Sequence, residues 1–350
     1  MFVLGIISGA IHISLYLSAD FAEYFNRNIA SYARQLLASL TNVLPFSFAE
    51  TIILFLPVVI VCLFIIVNRI PSNDNRAIIR YVASTFAVSF YLYSAFVICF
   101  ASAYRVAPLS EKLDLEPAAV TAEELEFTAR ELYAEIEELL PEVTFKFASS
   151  SVMPYSLDEM NDKLNDAYSE TAEKYGFIRH FKSNVKYIAL SEPMTYTHIS
   201  GVYAFFTGEA NINVNFPDYT IPFTAAHEFS HQRGVGPENE ANFMAFLVCS
   251  ESDDAYVRYS GYMSIFEYVL NALYQADTDA YFEVICDMDD KVRYEMIAYN
   301  EFFAKYRDSV ASDITGAIND SYLQSQGQSA GSRSYGMVVD LAVAYYKNAK

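Results

Sequence analysis

Three stretches of the chain carry no Lys, Arg, Asp or Glu: residues 2–19, 51–67 and 81–104. A helix that crosses a bilayer needs roughly 20 mainly apolar residues. The pattern therefore predicts three N-terminal transmembrane helices, at about residues 2–19, 47–68 and 81–104. The second reaches spanning length only by taking in Glu50, which lies close enough to the end to reach the interface. Pro57 inside it is tolerated in lipid. A cleaved signal peptide fits the first run less well, because no basic segment precedes it and no small-residue cleavage site leads into soluble sequence.

Beyond residue 104 the pattern changes. Thr121 followed by Glu124 is a capping box, and Leu125, Ala129, Leu132, Ile136 and Leu139 form an apolar helical face that Pro141 stops. A second helix is expected from about Asp158 to Lys174, and the alternation over residues 210–215 reads as a half-exposed strand. From Phe223 onward the signal is helical, broken at residues 234–237, 277–279 and 325–334. The expected fold class is α+β, predominantly helical with a small sheet. The expected division is a membrane domain at 1–104 and a second domain at 105–350.

Charge sharpens this division. Residues 1–105 have six Arg and four acidic residues, a balance of +2, so the rest carries −22 of the total of −20. An acidic body of this kind excludes an ordinary nucleic-acid binder, and the 53% of hydrophobic residues excludes a disordered chain. Arg69, Arg76 and Arg80 crowd the second connection, whereas the first has only Arg27 and Arg34. The second connection is thus the better cytoplasmic loop, with the N-terminus inside and the body after Tyr104 outside. Of the four cysteines, Cys62 and Cys99 fall in the expected spans, and Cys249 and Cys286 have no CxxC spacing. A Cys249–Cys286 disulfide is left open.

The chemistry is concentrated in one stretch, His227-Glu228-Phe229-Ser230-His231. This is HExxH. On a helix the two histidines share a face and reach one zinc ion, while Glu228 can act as general base toward the water that such an ion activates. Arg233 departs from the usual pattern, which has a hydrophobic residue there. The competing reading is an amphipathic surface helix that holds two histidines by chance.

A catalytic zinc has three protein ligands and an open position. Gly234 and Gly236 can end the first helix and Pro237 can start a second, so a carboxylate in that second helix's first turn can face back toward the histidines. Glu238 and Glu240 compete for this role. Glu238 shares a face with Asn242, Ala241 and Ala245, which favours it as ligand with Asn242 as a supporting hydrogen-bonder. Residues 210–215 are placed to bind an extended peptide as an edge strand, or to be a plain structural strand. Tyr203, Tyr259 and His198 are candidate donors to a developing oxyanion, although such rings more often serve packing.

Several segments together resemble a known family: Tyr104-Arg105 with Pro108-Leu109, residues 201–211, the run HEFSHQRG followed by EANF, residues 258–262 and residues 44–47. The family is the bacterial domain-of-unknown-function family 3810. It looks similar to membrane zinc peptidases of the gluzincin type, in which a Glu and, four residues on, an Asp or Asn follow HExxH. Here those would be Glu238 and Asn242, after an unusually short gap. The resemblance implies a zincin-like metallopeptidase domain holding one Zn2+, in a multi-pass protein of the bacterial cytoplasmic membrane with its large domain outside. Its partners would be a peptide or protein substrate and the lipid bilayer, and no nucleic acid. The alternative is a membrane zinc-binding sensor or interaction protein of the same fold.

Overall fold

The computed structural model describes residues 1–71, 73–307, 309–331 and 336–348. The chain divides into two compact units, one of residues 1–106 with 204–209, the other of residues 107–203 with 210–350. Part of the polar run expected to break the C-terminal helices, residues 332–335, lies outside the described residues.

In the first unit, α1 (Phe2–Leu17) leads through α2 (Ala19–Phe25) and a π turn (Asn26–Ala30) into α3 (Ser31–Asn42), followed by α4 (Phe48–Arg69) and α5 (Asn75–Cys99). Among the described residues, only α4 and α5 are long and apolar enough to cross a membrane, so two candidate spans replace the three expected. The first run fails on length. Its 16 residues end at Ser18, and at 1.5 Å per residue they rise about 24 Å, short of the roughly 30 Å of a hydrocarbon core. Ser18 then caps the next helix by accepting from Phe21 N.

The helix α1 packs against α5, and the fully buried Arg34 of α3 donates to Asn26 Oδ1 at 3.0 Å and to the Cys99 carbonyl at 2.8 Å. Glu209 caps α4, its two oxygens accepting from Phe48 N at 2.9 Å and Ala49 N at 2.8 Å. A carboxylate here satisfies amides that a helix start leaves open and complements its dipole.

The second unit contains α6 (Leu109–Lys112), α7 (Ala122–Leu139), α8 (Leu157–Tyr175), β1 (Lys186–Tyr187), α9 (Ser191–Thr195), β2 (Gly201–Ala204) and β3 (Glu209–Ile212), except that Ala204 of β2 and Glu209 of β3 belong to the first unit. Then come α10 (Thr220–Arg233), α11 (Glu238–Ser250), α12 (Ala255–Ala276), α13 (Thr278–Asp287), α14 (Asp290–Ala304), α15 (Val310–Ser325) and α16 (Val338–Asn348). The capping box of α7 forms with both its hydrogen bonds, and α8 has a second one between Ser156 and Glu159. The unit is organised around α12, which packs on α7, α10, α11, α13 and α16.

The sheet has the order β1-β3-β2, with β1 parallel to β3. The strand expected at 210–215 as a half-exposed edge is therefore the central one. It is shorter and buried at every residue, because it is paired on both sides; the edge nearest the motif is β2. Beyond it, Asn213 and Asn215 both donate to Thr195 Oγ1, which ties this segment to α9. Cys249 is buried, Cys286 is exposed and both are free, so the disulfide left open does not form.

Candidate metal centre

HExxH lies in the last two turns of α10, and every residue from Ile221 to Arg233 is buried. The amphipathic surface reading fails on that count. A helix buried on all sides must find partners for its polar side chains, and several of them here are held by other elements. Ser230 pairs with Tyr168 Oη at 2.7 Å, and Gln232 Oε1 accepts from Ser183 Oγ at 2.6 Å. At the helix start, Phe223 N donates to Ser260 Oγ at 2.9 Å. The departure at Arg233 also has its reason. Its guanidinium lies 4.2–5.0 Å from the ring centres of Tyr168, Phe229 and Phe181, and donates to the Phe181 carbonyl. Stacked on aromatic faces, a buried Arg takes the place of a hydrophobic residue, and burial pulls its pKa down to about 10.

Gly234 ends α10 with φ +98°, the left-handed conformation that glycine adopts at little expense. The chain reverses so that the Val235 carbonyl sits 2.8 Å from His231 Nδ1. Pro237 is the N-cap of α11 and Glu238 its first residue, which aims that carboxylate back at the histidines.

The resulting geometry is a triangle. His227 Nε2 and His231 Nε2 are 3.0 Å apart, and Glu238 Oε2 lies 3.2 Å from the first and 3.3 Å from the second. Val235 O can only accept, so His231 carries its proton on Nδ1. His227 Nδ1 faces Asn242 Oδ1 at 2.7 Å, with Asn242 Nδ2 turned toward Tyr268 Oη, which assigns the same tautomer. With both rings neutral, both Nε2 atoms present lone pairs to each other and to a carboxylate oxygen. The short Nε2–Nε2 distance passes for a hydrogen bond only if one ring becomes a cation. Glu238 Oε2 is itself buried with no well-directed hydrogen bond.

Such a cluster calls for positive charge at its centre. A tetrahedral zinc with bonds of about 2.0–2.1 Å separates its ligands by roughly 3.3–3.4 Å, close to the three distances here. Electrostatics agree. Burial alone would lower His231, but Glu238 and Glu228 outweigh it and lift the pKa to about 9. Burial would raise Glu238, yet the two imidazoles hold it well below the usual carboxylate range. These three buried residues fit a zinc ion in donor type, tautomer and spacing.

Glu228 is buried beside them. Burial pushes its pKa up to about 7 against the pull of His227 and His231, and the backbone N–H of Tyr203 donates to its carboxylate. Glu240 lies elsewhere, since its Oε1 accepts from Leu109 N at 3.1 Å and burial raises its pKa. Of the candidate oxyanion donors, Tyr259 gives its hydroxyl to Glu295 at 2.9 Å and His198 Nε2 binds the Tyr306 carbonyl at 2.7 Å. Tyr203 is brought to Glu228 through its backbone.

Sequence reasoning missed Gly201, Val235, Tyr168 and Tyr268. No motif marks the last three. Gly201 lies inside the 201–211 segment, but its use depends on Glu228, 27 residues later in the chain.

A family model described as Protein of unknown function (DUF3810) matches residues 25–343. The chain belongs to that family. The match takes in α10 and α11 and with them His227, Glu228, His231 and Glu238. No curated protein and no solved structure matches the chain.

Proposed function

We propose that this protein is a membrane-anchored zinc metallopeptidase with a zincin-like, gluzincin-type centre. The observation that carries the reading is the triangle of His227 Nε2, His231 Nε2 and Glu238 Oε2 with both Nδ1 atoms engaged, next to a buried carboxylate that is not one of the three.

A zinc ion bound there supplies Lewis-acid polarisation of a water and of the scissile carbonyl. His227 and His231 hold their rings in place through Asn242 and Val235 O, so neither tautomer has to change during turnover. Glu228 takes the proton of the attacking water and delivers it to the leaving amine. The edge strand β2 beside Glu228 offers main-chain groups to an extended peptide, a role that passes from residues 210–215 to residues 201–204.

The membrane part follows from α4 and α5, joined by a short turn flanked by Arg69, Arg76 and Arg80. With that turn cytoplasmic, the N-terminus of α4 and the C-terminus of α5 both lie on the outer side. Glu209, far beyond α5 in sequence, binds the N-terminus of α4, as that topology requires of a chain continuing outside. In this two-span arrangement residues 1–47 are also outside, unlike the three-span expectation.

The test is zinc content and cleavage of an unstructured polypeptide by the detergent-purified protein and its Glu228→Gln variant. The expected result is one zinc in both and cleavage reduced roughly 10²–10⁴-fold in the variant. Zinc in both with cleavage by neither would favour a zinc-holding sensor instead. Unchanged cleavage by the variant would remove Glu228 from the chemistry.

A further inference from the structure

Gly201 has an ordinary negative-side or extended backbone, absent from the positive-φ glycines, so conformation does not demand glycine there. Space does. A Cβ at this position would lie 2.5 Å from Glu228 Oε1, 2.7 Å from its Cγ and 2.9 Å from its Cδ. No real Cβ tolerates such distances, and the obstructing atoms belong to a buried carboxylate in a buried helix rather than to a free surface chain. Two residues on, Tyr203 turns its N–H to the same carboxylate. The strand is at the sheet edge, with β3 on its other side. Glu228 Oε2 is buried and has no hydrogen-bond partner among the described residues.

We propose that β2 is the positioning element of the general base: Gly201 clears the space for the Glu228 carboxylate, and the Tyr203 N–H fixes its rotation, leaving Oε2 to receive the proton. Both residues act through Glu228 and touch no reacting atom. A carboxylate held by one oxygen loses little freedom when its other oxygen is called on, which is the benefit of preorganisation. The inference rests on the peptidase reading for its kinetic arm and on the fold alone for its exchange arm.

The experiment uses the full-length, zinc-loaded protein in detergent and a quenched-fluorescent unstructured peptide. Gly201→Ala should keep its zinc and its KM and lose roughly 10²-fold in kcat, the penalty of displacing a catalytic group by about 1 Å. Glu228→Asp shortens the side chain by one methylene and makes room for the added methyl. In that background Gly201→Ala should therefore have little further effect, a coupling that a merely structural glycine would not show. The second measurement is amide hydrogen exchange of the peptide containing Tyr203. It should accelerate in Glu228→Ala, because the amide loses its acceptor.

Parental kcat in Gly201→Ala overturns the proposal, and so does an equal loss in both backgrounds. Unchanged exchange at Tyr203 overturns it as well, and decides the matter if Gly201→Ala does not fold. If instead the zinc-loaded parent cleaves nothing, the peptidase reading has failed, and accelerated exchange still supports the contact.

Discussion

The helices α4 and α10 depart from the usual distribution of residues in opposite directions. In α4 the large apolar side chains are on the outside: Ile53, Phe55 and Phe64 are 60–67% exposed, and none of its most apolar stretch is buried in the chain. In α10 two histidines, a glutamate, a glutamine and an arginine are all buried. Each inversion is stable only in a particular environment. For α4, long and apolar enough to cross a membrane, the environment we propose is hydrocarbon, where a helix satisfies its own backbone and its side chains need no cover. For α10 it is a set of hydrogen-bond acceptors and aromatic faces and, on the reading proposed above, one cation, since unpaired polar groups are costly to bury. A helix too apolar for its position and one too polar for its position thus point to two different missing surroundings.

The comparison breaks most completely if the cation is removed from the argument. Replacing His227 or His231 by Ala, or Glu238 by Gln, is expected to abolish stoichiometric zinc binding, measured by metal analysis of the purified protein. Retention of full zinc in any of the three would mean that the triangle is not a ligand set. For α4, Val59→Asp is expected to disfavour membrane insertion by about 2.5–3.5 kcal/mol, read as the inserted fraction in a translocation assay. Equal insertion of parent and variant would return α4 to the soluble core.

Asn242→Ala should weaken zinc about 10–100-fold, because it removes only the group that orients His227. Glu240→Gln should leave zinc affinity essentially unchanged, as its carboxylate serves Leu109 N. The opposite ranking would transfer the ligand role to Glu240. A small effect, on stability and not on zinc, is expected from Tyr168→Phe, which removes a hydroxyl bonded to Ser230 and to the Ala226 carbonyl. Thermal or chemical unfolding should show a loss of about 1 kcal/mol with zinc stoichiometry intact. A loss of zinc in this variant would show that the centre depends on packing well outside its ligands.

The parts legible in the sequence share one property: their signal is local. The α7 capping box, the helix through residues 158–174 and the HExxH spacing depend on residues within about one turn or one helix of each other. The preference for Glu238 over Glu240 was legible for the same reason, as helical periodicity places Asn242 on the face of Glu238. The first of the three expected membrane spans fails because the absence of charge does not reveal where a helix stops. Ser18, uncharged, ends α1 by capping the next helix. The edge strand was misplaced because alternation shows which faces are wet and not how many neighbours a strand has.

The sequence by itself determined that the runs forming α4 and α5 are long and strongly apolar, though it added a third, and that two histidines share a helical face with a glutamate between them, since composition and the 3.6-residue period are enough for both. Only the tertiary structure decided that Glu238 meets those histidines, that Val235 and Asn242 orient them, and that Gly201 makes room for Glu228. Each of these is a meeting of side chains or backbone from separate elements, set by how a glycine turn, a helix start and a strand edge are packed. Distances of that kind depend on folding the chain back on itself, and no local pattern along it encodes them.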